Sequence, residues 1–318
     1  MAFDSSPELT GTEIRSTRER VYGTVFFLCA SLSVLITLAI IGTLLFDALR
    51  FFSEYSIIAF LTGTRWSPSI NPIEFGVLPL VTGTLAVTVI AAAIAMPIGV
   101  SAAVYLSEYA SDRTRSVLKP ALEVLAGIPT VVYGYFALVY ITPALEVVGI
   151  ELSTFNVLSA SIMVGIMIIP MVSSLSEDAM SSVPDSLREA GYGMGATKFE
   201  VSTGIVIPAA VSGIFASFIL ALSRAIGETM IVTVAMGMRA RMFAPENIAD
   251  LPAEIAYIAS NSGSTMTAAI INLGLSDLAG GTTAFYSLFA IGLTLFTMTF
   301  LMNLASDIIA NRFREEYQ

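Results

Sequence analysis

The hydrophobic positions of this chain are collected in six long, charge-poor runs that are separated by polar segments. Each run is long enough for a helix to cross the hydrocarbon core of a bilayer, which takes about 20 residues. Buried helices of a soluble protein are not typically this numerous, long and poor in charge. The pattern predicts an all-α, polytopic membrane protein with six transmembrane helices, at 22–46, within 76–106, at 124–145, within 152–176, at 207–238 and at 284–305.

The distribution of arginine and lysine sets the expected orientation. With the N-terminus in the cytoplasm, ten basic residues lie inside and four lie outside, as the positive-inside rule requires. Both termini are therefore predicted to be cytoplasmic. The predicted parts are an N-terminal tail, a first transmembrane helix, an extracytoplasmic segment, a core with the other five helices and a C-terminal tail, at 1–21, 22–46, 47–75, 76–312 and 313–318.

Two features complicate this simple pattern. Gly127 and Pro129 in the third run predict a bent helix, because proline removes a backbone donor, although ordinary membrane packing would also explain them. The segment 239–277 is long, and its part 255–275 is rich in small and apolar residues. We expect this part to be either a partly inserted or amphipathic helix or a simple exposed loop.

Composition narrows the possible chemistry. Hydrophobic residues make up 55% of the chain and charged residues 13%, against about 25% charged residues in soluble domains. The chain has no histidine, which excludes a Ser-His-Asp triad and a histidine-based metalloprotease site. Its single cysteine, Cys29, cannot form an internal disulfide or a thiolate cluster. No Gly-x4-Gly-Lys-Ser/Thr motif is present, so no catalytic residue, metal site or nucleotide cofactor is predicted.

The net charge of −10 comes with only two lysines among fifteen basic residues. One interpretation is a halophilic source, such as a halophilic archaeon, whose protein surfaces face concentrated salt. The other is ordinary drift in solvated loops. The acidic excess argues against a wide basic funnel that draws anions to the surface, and no nucleic-acid partner is predicted.

The polar loop 185–208, between the fourth and fifth runs, carries the most specific motif. Pro184 and Asp185 mark the start of a helix, with Asp185 expected to cap it. The residues that follow are partly amphipathic, and Gly193 and Gly195 are expected to end the helix and form a tight turn. The loop is thus predicted to place a short helix across the cytoplasmic ends of the bundle, where it could fit a socket on another protein.

The spacing of this loop resembles the EAA loop of ABC importer permeases, usually Glu-Ala-Ala-x3-Gly-x9-Ile-x-Leu-Pro. The departures are Gly191 in place of the second alanine and Ile207 in place of leucine. In that family the short helix docks in a groove on an ATPase subunit. The resemblance therefore implies that ATPase coupling depends on Asp185, Glu189, Ala190, Gly191, Gly195, Ile205 and Pro208.

Further segments resemble the permeases of phosphate importers, namely 75–84, 105–109, 123–134 and 223–230. The Thr229-Met230 ending of the last segment is similar to the PstC-type subunit rather than to its PstA-type partner. The resemblance covers about 75–312. It implies a type I ABC importer permease fold, with 76–312 as the permease core and inorganic phosphate as the substrate.

Arg224 and Glu228 stand four residues apart in the fifth run, so they would face the same side of one continuous helix. A charged residue in a span costs about 2.5–3.5 kcal/mol on insertion scales, and pairing relieves part of that cost. One interpretation is a structural pair that only neutralises itself. The other is a substrate path in which Arg224 contacts the phosphate oxyanion, because its planar guanidinium donates two hydrogen bonds, and Glu228 holds or releases Arg224.

Ser223 and Thr229 are additional candidate donors to the anion in that path. The resemblance supports the substrate-path interpretation, because phosphate permeases carry the same arginine and glutamate.

The resemblance also implies the assembly in which the chain would work. We expect an ATP-driven importer in the lipid of a prokaryotic plasma membrane, with a PstA-type permease, two ABC ATPase subunits that bind ATP and Mg, and an extracytoplasmic phosphate-binding protein. The alternatives are a permease for another oxyanion, such as molybdate, sulfate or phosphonate, and a secondary transporter or channel. The loop 185–208 favours an importer, because a channel has no use for an ATPase-docking helix.

Overall fold

The computed structural model describes residues 13–68, 70–245, 247–276 and 280–312. These residues form a helical bundle with one two-stranded antiparallel sheet, in which Trp66 pairs with Phe75. Within them, five helices are long and apolar enough to cross a membrane, and one bent helix pair makes a sixth candidate span. The prediction of an all-α protein with about six spans is therefore confirmed.

The helices follow one another along the chain nearly as predicted. Their bounds are α1 (Glu13–Glu54), α2 (Ile57–Thr62), α3 (Leu78–Val104), α4 (Asp112–Ala126), α5 (Thr130–Phe136), α6 (Thr142–Val147), α7 (Val157–Ser181), α8 (Asp185–Gly193), α9 (Lys198–Val201), α10 (Ile207–Ala209), α11 (Val211–Ile226), α12 (Met230–Ala235), α13 (Leu251–Ser260), α14 (Met266–Gly274) and α15 (Thr283–Arg312). The strands are β1 (Trp66–Ser67) and β2 (Glu74–Phe75). Single π-helical turns extend some helices, at Tyr105–Tyr109, Ala137–Ile141 and Ser202–Val206, and a 3-10 turn spans Ile248–Asp250.

The first helix is longer than the predicted span at 22–46. It begins inside the predicted tail 1–21, of which residues 1–12 lie outside the described part of the chain, and it runs on into the predicted extracytoplasmic segment 47–75. No proline interrupts this stretch, so backbone hydrogen bonding continues past the ends of the apolar run. The predicted C-terminal tail 313–318 also lies outside the described residues.

Most of α1 is exposed in the isolated chain. Phe26 and Phe27 show 71% and 69% of their surface, which suits contact with lipid tails. The last turns of the helix are packed against the protein, and there Phe51 is fully buried and its ring meets Phe60 and Phe75 edge to face. This aromatic cluster fixes the end of α1 to the short sheet.

The centre of the bundle is the contact between α3 and α7, which is made through small residues. A side chain at Gly99 would lie 2.7 Å from the Cβ atom of Val172, and one at Gly165 would lie 3.1 Å from the carbonyl oxygen of Ala91. Small residues let two membrane helices approach closely and gain dispersion contacts over their whole length. Residues of both helices form the largest buried cluster in the described chain.

The third candidate span is Thr130–Val147, so Gly127 and Pro129 come before it and do not bend it as predicted. Helix α4 ends at Ala126, and α5 begins at Thr130 after Gly127 and Pro129. Proline cannot donate to the preceding turn, and it pushes the residue before it towards an extended backbone. The apolar run at 124–145 therefore contains the end of one helix and the start of another.

The prediction of one fifth helix over 207–238 is wrong. The segment Lys198–Ala209 meets α11 at an angle of 68°, and α11 ends at Ile226, before Gly227. A separate helix, α12, begins at Met230. Hydrophobicity marks the whole run as a membrane segment but does not locate breaks, which depend on local capping.

The apolar part at 255–275 of the long segment is mostly helical, but it is not one helix, and its buried residues lie between 258 and 273. It belongs to α13 and α14, which are separated by 261–265. The turn between them packs on α3, where the Thr84 hydroxyl accepts a hydrogen bond from the Met266 amide at 3.1 Å. The backbone of this turn is thus satisfied by protein rather than by water.

Gly83→Ala is expected to destabilise this packing. Its new Cβ atom would lie 2.1 Å from the carbonyl oxygen of Ser264, a backbone atom that cannot rotate away. Overpacking of this kind costs about 1–3 kcal/mol, which exceeds the roughly 1 kcal/mol gained when alanine replaces glycine in a helix. Thermal unfolding of the purified protein should show a lower midpoint.

The matched control is Gly42→Ala in α1, where a Cβ atom would meet nothing within 4 Å. Its unfolding midpoint should stay equal or rise. A Gly83→Ala protein with the same midpoint as the control would contradict the close contact.

Candidate functional site

The predicted short helix is present as α8, and Arg188 attaches it to the rest of the bundle. The Arg188 guanidinium donates to the carbonyl oxygens of Val183 at 2.6 Å and Met180 at 2.8 Å. It also pairs with the Glu108 carboxylate at 3.1 Å. Because Glu108 directly follows α3 and Met180 lies in the last turn of α7, both helices end beside α8. This region is called the α8 end of the bundle below.

The Arg188–Glu108 pair is nearly closed to solvent. The side chains are 15% and 4% exposed, respectively. A buried charge without a partner is very costly, so each residue holds the other in place. Sequence reasoning counted Arg188 only as a cytoplasmic positive charge. The two residues are 80 positions apart, and no local pattern joins them.

Asp185 occupies a different position from the one predicted. It is the first residue of α8, and Pro184 precedes the helix without any side-chain cap. The Asp185 carboxylate instead pairs with Arg188 at 3.2 Å while staying 90% exposed. An acidic residue in the first turn still interacts favourably with the helix dipole, but it does not cap the helix.

Gly191, which replaces the second alanine of the loop motif, meets the motif isoleucine in space. Gly191 is buried, and a side chain there would lie 2.7 Å from the Cδ1 atom of Ile205 and 2.9 Å from the Cγ2 atom of Val201. The residues between Gly191 and Ile205 therefore form the turn that folds α8 back onto the following segment. Gly191 leaves room for this isoleucine side chain.

Gly195 forms the turn after α8. Its φ angle is +86°, in the left-handed region that glycine adopts without steric cost. A Cβ atom there would meet nothing within 4 Å, so the requirement comes from the backbone and not from space. Beyond it, Thr197 and Glu200 form a capping box at the start of α9.

The remaining motif residues lie on the surface of the α8 end. Glu189 and Ala190 are exposed, and Pro208 lies in α10, directly before the 68° bend. Two large apolar side chains nearby, Met194 and Phe199, are 82% and 67% exposed. The α8 end thus presents a small mixed surface on a firmly held helix.

Arg224 and Glu228 form an ion pair, but they do not share one continuous helix. Arg224 lies in the last turn of α11, and Glu228 follows the break after Ile226. Their side chains meet at 3.3 Å, with Glu228 2% exposed and Arg224 44% exposed. The pair therefore has a buried carboxylate and an accessible guanidinium.

The Glu228 carboxylate also satisfies the backbone where the span is broken. It accepts hydrogen bonds from the amides of Met230 at 3.0 Å and Ile231 at 3.2 Å, the first residues of α12. The Glu228 carbonyl in turn accepts from the Thr267 hydroxyl at 2.7 Å. The free amides at the start of a helix attract negative charge, so a carboxylate suits this position.

Arg224 faces a cavity of about 550 Å³ between α4, α7 and the end of α11. Most of the lining is apolar, and its charged members are Lys119, Glu123, Glu177 and Arg224. Ligand pockets are commonly apolar with a few converging polar groups. This cavity can hold a small anion beside the accessible guanidinium.

The structure does not bring the two additional candidate donors to this cavity. The Ser223 hydroxyl donates to the Asn303 side-chain oxygen on α15 at 2.6 Å. The Thr229 hydroxyl donates to the Gly227 carbonyl at 3.1 Å. Both side chains therefore have local partners, and neither lines the Arg224 cavity.

Sequence reasoning missed the other charges of this cavity. Lys119 is one of the ten basic residues on the predicted cytoplasmic side, and Glu177 lies just past the fourth apolar run. Their meeting depends on how α4 packs against α7, which no local pattern records. The available signal is the position of Glu177, which directly follows the apolar run 152–176 that contains the predicted fourth span.

The chain matches one family of known proteins. Residues 95–315 match the family described as binding-protein-dependent transport system inner membrane component. The chain is 34% identical to the probable ABC transporter permease protein YqgH of Bacillus subtilis over 81% of this chain and 79% of that protein. It is 33% identical to the phosphate transport system permease protein PstC of Mesorhizobium japonicum over 77% of this chain and 75% of that protein.

The fold agrees with this match. A bacterial ABC transporter involved in the import of alginate has a chain that superposes with a TM-score of 0.65 at 13% identity, over 95% of this chain and 100% of that chain. At this identity the likeness concerns the fold alone, and it confirms the predicted type I importer permease architecture. This chain therefore belongs to the binding-protein-dependent transport system inner membrane components and is a membrane-embedded permease of an ABC importer.

Proposed function

We propose that this chain is the PstC-type subunit of an ATP-driven importer of inorganic phosphate and forms half of its translocation path. The observation that carries the proposal is the setting of Arg224. Its guanidinium is accessible in a cavity, while a buried carboxylate holds it from one side. The similarity to phosphate permeases supports phosphate among the possible oxyanions.

The chemistry of the pair suits an anion that must bind and leave. A guanidinium has five N–H donors, and Glu228 takes a hydrogen bond from the Nη1 atom alone. The other nitrogens can form a bidentate contact with an oxyanion. When no anion is bound, Glu228 neutralises Arg224 and keeps its orientation. Arg224 is therefore paired both before the anion arrives and after it leaves.

The α8 end is the proposed docking surface for the ATPase subunits. Glu189, Ala190 and Gly195 match the family motif, and Met194 and Phe199 expose apolar surface beside them. Arg188 would pass movement of α8 to α3 and α7 through its contacts with Glu108 and with the carbonyls at the end of α7. ATP and Mg are bound by the ATPase subunits, and no covalent step takes place in this chain.

The remaining partners follow from the same assembly. A PstA-type permease supplies the other half of the path, and an extracytoplasmic phosphate-binding protein delivers the anion. ATP-driven closure of the ATPases alternates the path between outward and inward access, with the anion passing Arg224. We place the complex in the plasma membrane of a prokaryote with both termini of this chain cytoplasmic, and a halophilic source stays a prediction.

The deciding experiment measures ATP hydrolysis and uptake by the reconstituted importer with phosphate, sulfate, molybdate or a phosphonate on its binding protein. Phosphate should stimulate both activities more than the other oxyanions. Arg224→Gln should lower phosphate uptake at least about tenfold, because a hydrogen bond to a charged group contributes about 1.5–3 kcal/mol. Assembly with the ATPase should survive, since the substitution is distant from α8.

The matched control is Arg113→Gln on α4, because the Arg224 cavity is not lined by Arg113. This variant should take up phosphate at the normal rate. Greater stimulation by another oxyanion would show that phosphate is not the preferred substrate. Normal uptake by Arg224→Gln would show that Arg224 is not needed in the path.

Gly195→Asp tests the docking surface. The substitution forces a side chain into a left-handed backbone conformation, which costs about 1–2 kcal/mol, and adds a carboxylate beside α8. The ATPase should no longer co-purify with the permease, or phosphate should no longer stimulate ATP hydrolysis.

Gly149 provides a control with the same backbone requirement, since its φ angle is +92° and a Cβ atom there would meet nothing within 4 Å. Gly149→Asp carries the same strain away from α8 and should retain both properties. If both variants behave alike, the effect comes from strain and not from docking.

Arg188→Gln tests the connection between α8 and the bundle. It leaves the buried Glu108 carboxylate without its partner, which costs about 3–5 kcal/mol, so the unfolding midpoint of the complex should fall. Adding Glu108→Gln removes the unpaired charge and should restore most of the midpoint, while phosphate-stimulated ATP hydrolysis stays low. Full recovery of this activity in the double variant would show that the ion pair is needed for stability alone.

A further inference from the structure

A second group of charges lies in the Arg224 cavity, on the side towards the α8 end. Glu177 of α7 is the centre of this group, with only 1% of its side chain exposed. One of its carboxylate oxygens contacts Arg115 of α4, and the other accepts from the Lys119 ammonium at 2.8 Å. Two cations therefore face one buried carboxylate.

Lys119 is the more replaceable of these two partners. Its ammonium has three donors, of which one is directed to Glu177 and a second to Asp178 at 3.2 Å. The side chain is 33% exposed and lines the same cavity as Arg224. If Lys119 turned to another acceptor, Glu177 would keep Arg115 and the Ser181 hydroxyl, which donates at 3.2 Å.

This arrangement resembles the Arg224–Glu228 pair in how its charges are placed. In both places a nearly fully buried carboxylate neutralises a partly exposed cation on the wall of one cavity. Asp178 balances the second cation, but this carboxylate is 60% exposed, and a solvent-exposed ion pair contributes little. An anion that enters the cavity can therefore take the place of Asp178 beside Lys119.

We propose that Lys119 is a second anion-contacting residue of the translocation path, with Glu177 as its resting counter-ion. The inference rests on the proposed import of phosphate. The anion leaves Arg224, is held by the Lys119 ammonium while Arg115 continues to hold Glu177, and is released when Lys119 returns to Glu177. No bond is made or broken in this transfer apart from hydrogen bonds and ion pairs.

The position of Glu123 on the cavity wall suits an oxyanion that carries a proton. Glu123 is an exposed residue of α4. Its carboxylate would repel a fully ionised anion, but it can accept a hydrogen bond from the O–H group of phosphate at neutral pH. A site with such an acceptor discriminates against analogues that lack the donor.

The test compares Glu177→Gln with the double variant Lys119→Gln/Glu177→Gln in the complete reconstituted importer. Neither protein has a buried unpaired carboxylate at position 177, so the comparison reports on Lys119 and not on folding. Glu177→Gln should still take up inorganic phosphate, but more slowly than the unmodified protein, because Lys119 then lacks the counter-ion to which it returns when the anion is released. The double variant should transport at least about tenfold less phosphate for each ATP hydrolysed, the size expected from losing a charged hydrogen bond.

Two further variants separate contact with the anion from a general effect of charge. Lys119→Arg keeps a cation and should retain most of the uptake. Arg113→Gln removes a cation from the same helix outside the cavity and should behave as the unmodified protein.

Equal uptake by Glu177→Gln and the double variant would overturn the proposal, because Lys119 would then serve only to neutralise Glu177. If that result came with a defective Arg224→Gln protein, the proposed import of phosphate would stand without this inference. An unmodified importer that takes up no phosphate would contradict the proposed function, and this inference would fall with it.

Discussion

The backbone groups that are freed where a membrane helix ends must find partners inside the protein, because hydrocarbon offers none. Two charged side chains meet this constraint at the two places that matter most here. Arg188 donates to carbonyls at the end of α7, and the Glu228 carboxylate accepts from the first amides of α12. Each charge has the sign that the neighbouring helix end attracts, so these atoms have a structural role that does not depend on the proposed function.

The contacts of Arg188 join the proposed docking surface to the membrane helices. Because Arg188 bonds to the end of α7 and to Glu108, α8 cannot move without moving those groups. Gly191 and Ile205 fold the following segment against α8, and the chain then bends by 68° into α11. A displacement applied at the surface of α8 therefore has a packed, hydrogen-bonded route to the helix that carries Arg224.

The charges of the cavity share a second property. Each buried carboxylate holds a cation that remains partly exposed, as in Glu228 with Arg224 and Glu177 with Lys119. An unpaired cation in such a place would carry a large desolvation penalty, and a fully buried pair could not be reached by an anion. Pairing from one side balances each cation while leaving donors for the anion that we propose to pass here.

Sequence alone determined the membrane class, the approximate spans and the position of α8, because hydrophobic runs and glycine turns are local properties of the chain. It also singled out Arg224 and Glu228. Only the tertiary structure decided that the fifth span breaks between them, that Ser223 bonds to Asn303, and that Arg188 reaches Glu108. These contacts join residues on different helices, or depend on how a broken helix is capped by its surroundings. Hydrophobicity and residue spacing do not predict such contacts or such capping, because these follow from how the helices pack.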